Sequence, residues 1–221
     1  MGGVERTVGR IDEGSVLKGI IVHHLEEAAE TGKKGKSRSS SWRAAERGFL
    51  ELTINPPQDL TNGFTETPLH ISALLGHLEF TKALVTYKPR LPIEVDSSQN
   101  TPVHLASAEG HTEIVKELLK VNDKPCSFPN EEGKIPLHYA VMRGRLDVVK
   151  ELVNAKPESL SFLDNGNTVF HLCVIHHHLE TLKCLVELEV AISGKLLNFA
   201  ISDEVGNTVF HLAVGSKQVE V

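Results

Sequence analysis

The stretch TPVHLASAEGHTEIVKELLK, residues 101–120, decides the architecture. It reads as two short helices broken at Gly110. Thirty-four residues later the chain carries IPLHYAVMRGRLDVVKELVN, and thirty-four residues earlier TPLHISALLGHLEFTKALVT. Aligned on the first residue of the TPLH-like tetrad, five copies begin at Thr67, Thr101, Ile135, Thr168 and Thr208, with spacings of 34, 34, 33 and 40 residues. A period in this range marks a solenoid, in which each unit is too small to bury its own apolar face and stacks on its neighbours.

The register extends beyond the tetrad. Histidine stands three places after every start, at His70, His104, His138, His171 and His211. Nine places after the start come Gly76, Gly110 and Gly144, then His177 and Lys217. The second helix carries Leu84, Leu118, Leu152 and Leu185, followed by Val85, Leu119, Val153 and Val186. Each copy therefore reads as a hairpin of two antiparallel helices. Glycine suits a left-handed turn between them, and His177 fits that slot less well. Pro68, Pro102 and Pro136 fall in the first helical turn, where a missing N–H costs nothing, and the threonine before a proline can cap that turn.

This pattern resembles the ankyrin repeat. Copy two supplies Asp96, Thr101 to His104, Ala106, Gly110, His111, Ile114, Val115, Leu118 and Leu119. Gly133, Gly166 and Gly206 fall in the β-turn slot of copies three to five. Copies one and two have Thr65 and Gln99 there, which predicts less regular tips. The resemblance implies an all-α solenoid of helix-turn-helix units with short β-hairpin tips over residues 62–221, the copies starting near 62, 96, 130, 163 and 203. SWRAAERGFLEL at 41–52 resembles a degenerate capping half-repeat spanning 41–61. Residues 1–40 read as a poorly structured leader. One short helix is expected over 11–30, and disorder over the polar, basic TGKKGKSRSSS at 31–41. Val221 falls inside a second helix, before its leucine pair, which predicts a longer parent protein or an altered end.

FTETPLHISALLGHLEFTKALV, together with LLNFAISDEVGNTVFHLAV after a longer spacer, resembles the plant ankyrin proteins that carry a C-terminal PGG membrane domain. The seven extra residues around Glu189 to Asn198 belong to the same resemblance. It implies a role in defence or stress signalling, with the array facing the cytosol at a membrane. The PGG part is not in this sequence.

Composition narrows the remaining classes. Net charge is −6 and pI is about 6.1, which argues against general nucleic-acid binding, because phosphate contacts need a basic face. Aromatic residues make up 5% of the 221 residues, so the core must rest on Leu, Val, Ile and Ala. Cys126, Cys173 and Cys184 are odd in number and have no CxxC spacing, as reduced intracellular thiols would. No apolar run approaches the ~20 residues of a membrane helix. Acidic and basic residues interrupt any secretory signal, and Arg6 spoils a myristoylation motif. The expected location is the cytoplasm, or the cytosolic face of a membrane if the full protein is longer.

Catalytic signatures are absent from the sequence. There is no GxSxG, HExxH or GxGxxG, and the GKS at 35–37 lacks the glycine a phosphate loop needs at position 30, which is Glu30. No catalytic residue, cofactor or metal ligand is assigned. The tetrad histidines recur once per unit and read as structural. His176, His177 and His178 with His171 form the one dense histidine cluster, while Cys173 and Cys184 read as core fillers; a metal-dependent sensor or enzyme using His176 to His178 is the alternative from another class.

Function then belongs to a surface that binds other proteins. Family ligands are held by the hairpin tips and the exposed ends of the first helices. Matched by position, these are Phe64, Glu66, Leu74 and Leu75 in copy one. Copy two gives Ser97, Ser98, Asn100, Ala108 and Glu109. Copy three gives Glu131, Glu132, Lys134, Met142 and Arg143, and copy four gives Asn165, Asn167, Ile175 and His176. The apolar set of copy one can anchor a partner or pack against the leader unit. The expectation is a non-enzymatic interaction module that scaffolds or regulates signalling in a plant cell. A cytosolic regulatory fragment of a multi-pass membrane protein is the competing reading.

Overall fold

The computed structural model describes residues 67–195 and 198–216. The chain divides into units of residues 1–64 and 65–221, and all described residues belong to the second. The expectations for the leader, for the half-repeat at 41–61, and for Phe64, Thr65 and Glu66 lie outside the described residues.

Five inner helices begin at the tetrads: α1 (Pro68–Leu75), α3 (Pro102–Glu109), α5 (Pro136–Met142), α7 (Val169–Ile175) and α9 (Val209–Gly215). Among the described residues four outer helices alternate with them: α2 (Leu78–Tyr87), α4 (Thr112–Val121), α6 (Leu146–Ala155) and α8 (Leu179–Ser193). The start of each inner helix is sharp because the N-cap residue is extended, with Thr101 at φ −85° and ψ 164°. Proline then occupies the first turn of α1, α3 and α5. Inner helices pack on inner helices, α1 on α3, α3 on α5, α5 on α7 and α7 on α9. Outer helices pack in the same order, α2 on α4, α4 on α6 and α6 on α8.

Two facing layers result, and the core lies between them. Leu69, Leu84, Leu118, Leu137, Leu152 and Leu185 are fully buried. Short 3-10 turns at Leu91–Ile93, Lys124–Ser127 and Pro157–Ser161 follow the first three outer helices. They tuck Leu91, Cys126 and Leu160 into the same core.

The turns inside the first three hairpins favour glycine for two reasons. Gly110 and Gly144 sit at φ +87° and +64°. A Cβ on Gly144 would also lie 2.6 Å from Nδ1 of His178, and one on Gly110 would lie 2.8 Å from Cδ of Arg145, both side chains of the following unit. His177 takes the same left-handed conformation, at φ +61°.

No strand occurs among the described residues; the tips are hydrogen-bonded turns, with one isolated bridge between Asp164 and Asn167. In copy two the Asp96 N–H donates to Asn100 O at 3.0 Å and the Gln99 N–H to Asp96 O at 3.0 Å. Copies three and five repeat this arrangement around Gly133 and Gly206. The expected irregularity at Gln99 is therefore corrected. Gln99 adopts φ +61°, held there because the Asp96 carboxylate accepts the N–H groups of Ser98 and Asn100.

The departures from a 34-residue period have local causes. In copy four the tip is one residue shorter: Asp164 and Asn167 exchange two backbone hydrogen bonds of 2.9 Å around Asn165 (φ +47°) and Gly166 (φ +75°). This is the two-residue Asn-Gly turn with both central residues left-handed, and it accounts for the spacing of 33. The spacing of 40 reflects α8, which runs 15 residues against 10 in α2, α4 and α6.

Candidate interaction surface

The tetrad histidines build the frame on which the tips sit. His104 Nδ1 accepts the backbone N–H of Thr101 at 3.0 Å and lies 2.9 Å from the Thr101 hydroxyl. An acceptor Nδ1 places the ring proton on Nε2, which donates to Lys134 O, at the end of the next tip, at 3.1 Å. His70 donates in the same way to Asn100 O at 2.9 Å, and His171 to Asn207 O at 3.1 Å. His138 departs from the pattern. Ile135 offers no hydroxyl, and the shorter fourth tip leaves the His138 Nε2–H donating to Phe162 O at 3.2 Å. Burial favours the neutral imidazole, drawing the pKa of His104 down to about 4 and lowering that of His138.

A second set of donors runs the other way along the stack. His111 Nε2 donates to Leu74 O at 3.1 Å, Arg145 Nε to Ala108 O at 3.2 Å, and His178 Nε2 to Met142 O at 3.1 Å. Each caps a carbonyl at the C-terminal end of the preceding inner helix, where helical partners run out. His178 thus has a structural assignment, as His171 does. His176 ends α7 with its pKa lowered, by desolvation first and then by His178 and His177. No group of three His, Cys, Asp or Glu among the described residues is placed to hold a metal.

Cys126 and Cys173 are buried free thiols. Burial raises the pKa of Cys126 to about 12 and raises that of Cys173 as well, so both are protonated core fillers at neutral pH. Cys184 is only partly buried.

The position-matched surface residues separate into two kinds. Ser97, Ser98, Glu131, Glu132, Asn165, Leu75, Arg143 and Ile175 are exposed. Asn100 and Lys134 are instead engaged between tips. Asn130 Nδ2 donates to Asn100 Oδ1 at 2.9 Å, and Lys134 Nζ lies 2.9 Å from Glu132 and 3.5 Å from Asp164. Lys134 is only 12% exposed, and its pKa is raised by the Glu132 hydrogen bond. Glu131 N–H donates to Ser98 O at 3.0 Å, joining the second and third tips through backbone. Arg143 reaches back to Glu109 at 2.6 Å. Leu74, Met142, Asn167 and His176 are half-buried, whereas Ala108, expected on the groove, is 8% exposed and belongs to the core. Spacing alone could not separate a tip residue that faces outward from one that joins two tips.

Stacked helical hairpins with hydrogen-bonded tips define a repeat solenoid that presents side chains on a stiff frame. A family model described as "Ankyrin repeats (3 copies)" matches residues 41–127, 94–161, 121–195 and 137–221, and the chain belongs to the ankyrin-repeat family, a protein-binding module. No curated protein matches the chain. No helix of the described residues is long and apolar enough to cross a membrane.

Proposed function

We propose that this chain is a non-enzymatic scaffold or regulator of defence or stress signalling in a plant cell. It engages its partner through the exposed tips and the ends of the inner helices. The observation that carries the reading is the coupling of adjacent tips, Glu131 N–H to Ser98 O and Asn130 to Asn100, which holds Ser97, Ser98, Glu131 and Glu132 in a fixed array. A preordered surface loses little conformational freedom on binding. The plant assignment rests on the sequence resemblance, and on the same ground Phe64 and Glu66 join the surface. The end of the long α8, from Glu189 to Ser193, falls within the spacer that this resemblance includes, which favours the second reading, a cytosolic regulatory part of a membrane protein.

Proximity labelling in plant cells tests both readings. Proteins enriched by the wild-type chain should be lost with Glu131→Lys/Glu132→Lys while the circular dichroism of the variant is unchanged. Enrichment of membrane proteins would favour the second reading. A partner set indifferent to the tip charges and to Leu75 and Ile175 would refute the proposed surface.

A further inference from the structure

The fourth tip carries a chemistry that the second, third and fifth do not. Its central residues are Asn165 (φ +47°) and Gly166 (φ +75°), inside the loop closed by the two 2.9 Å bonds between Asp164 and Asn167. The fold asks for this dipeptide. Asparagine is one of the few side chains that visit a left-handed backbone routinely. Gly166 has no room for a methyl group, because the Glu204 side chain packs where its Cβ would lie. Asn-Gly is also the pair in which the following amide nitrogen is least hindered from attacking the asparagine side chain, since glycine has no Cβ.

The neighbouring tips restrain their glycine, whose N–H donates to Asn130 O at 2.9 Å in tip three and to Asp203 O at 3.0 Å in tip five. The Gly166 N–H donates no hydrogen bond among the described residues. On the same peptide plane, Asn165 O accepts from Asn167 Nδ2 at 3.3 Å, a long bond. Rotating that plane converts the turn from the I′ to the II′ form, with φ still positive at the first central residue and negative at the second. Glycine makes that change without steric cost, and the Asp164–Asn167 bonds are left in place. The ψ of residue 165 becomes about −120°, which brings the Gly166 nitrogen beneath the Asn165 side chain. That side chain is exposed, and its amide is tethered by one bond, from Nδ2 to Asp164 Oδ1 at 3.1 Å.

We propose that Asn165 is a site of spontaneous deamidation. The Gly166 nitrogen bonds to Cγ of Asn165, the Cγ–Nδ2 bond breaks, and the proton lost by Gly166 leaves with Nδ2 as ammonia. One water then opens the cyclic imide, so the balance is a water consumed and an ammonia released, with no oxidant or reductant. Opening at Cγ leaves aspartate. Opening at the main-chain carbonyl leaves isoaspartate, whose backbone runs through Cβ and Cγ and is one methylene longer. Either product adds a negative charge beside Asp164. The longer backbone also breaks the register of the Asp164–Asn167 pair, and Asp164 is the carboxylate that stands 3.5 Å from Lys134 of tip three. The modification goes beyond the interaction reading and stands whether or not a partner binds the tips.

The test is peptide mapping by mass spectrometry of the full chain after incubation at mildly alkaline pH. Isoaspartate is read by isoaspartyl methyltransferase labelling of the same peptides. A one-dalton gain at Asn165, with isoaspartate and aspartate both present, is expected while Asn100, Asn130, Asn167 and Asn207 remain amides. Asn62–Gly63, the other such dipeptide of the sequence, lies outside the described residues and is read on its own peptide. Asn167→Ala frees the peptide plane and should speed the gain at Asn165 several-fold; an unchanged rate would overturn the role given to that plane. A synthetic peptide of residues 161–168 shows that the conditions permit the reaction. If the peptide reacts and Asn165 of the folded chain does not, the turn protects the site and the proposal is overturned.

Discussion

Acidification should loosen this array through its buried histidines. His104 is 1% exposed, and its ring is held neutral by burial, with a pKa near 4 against an ordinary 6.5. The neighbouring charge of Asp96 opposes that shift and His138 reinforces it, while Tyr139 packs edge-on at 6.2 Å. In the unfolded chain the ring takes up its proton as pH falls through 6.5, whereas the folded protein resists until about pH 4. The unfolded state therefore binds more protons in that window, and stability falls as pH drops through it. Above pH 6.5 the contribution is complete; by pH 5 His104 alone should have cost about 2 kcal/mol. His138 acts in the same direction.

Urea unfolding at pH 7.5 and pH 5.0, for wild type and His104→Gln, isolates this contribution. The wild type should lose about 2 kcal/mol more than the variant between the two pH values. NMR titration of the folded wild type supplies an independent check, since the His104 ring should stay neutral at pH 5. A ring that titrates near 6.5 in the folded protein, or identical pH dependence in both proteins, would refute the reasoning.

Other perturbations test the layering. Leu118→Ala removes a fully buried side chain and should cost roughly 2–5 kcal/mol, whereas Glu131→Ala at an exposed tip should stay within about 0.5 kcal/mol. The reverse order in chemical denaturation would mean that the two faces are misplaced. Gly133→Ala forces alanine to φ +77° with nothing within 4 Å of the new methyl, and should cost roughly 1–2 kcal/mol. Gly144→Ala adds collision with the His178 ring and should exceed that cost by about 1 kcal/mol or more in thermal or urea unfolding. Equal losses would show that His178 moves aside freely.

The period of the TPLH tetrad carried most of the fold in the sequence, because the same backbone problem recurs in every unit and is solved by the same residue types. Thr101, Pro102, His104 and Gly110 each announce a backbone state, so inner helices and turns were legible one by one. Surface roles were not. Ser98 and Asn100 are both small polar tip residues, yet the Ser98 side chain faces solvent and Asn100 is bonded to Asn130, because stacking brings the tips side by side. Ala108 appeared to belong to the groove by counting and is covered by the next unit's contacts. The burial of Glu189 had no sequence signature at all; a glutamate near the end of an outer helix ordinarily faces water.

The two sets of long donors between units have a mechanical consequence. At the start of α1 and of α3 an imidazole reaches forward to the following unit; at the end of each a carbonyl is held by a His or Arg reaching back from that unit. Adjacent units are therefore pinned at two separated points by polar bonds with fixed directions, in addition to apolar packing that could slide. A single pin would permit a swivel. Two pins resist the swivel, so the angle between successive units becomes a property encoded in His104 and Arg145 rather than an average over many packings. The pitch of the array is set residue by residue, and a partner spanning several tips meets a ruler with fixed graduations.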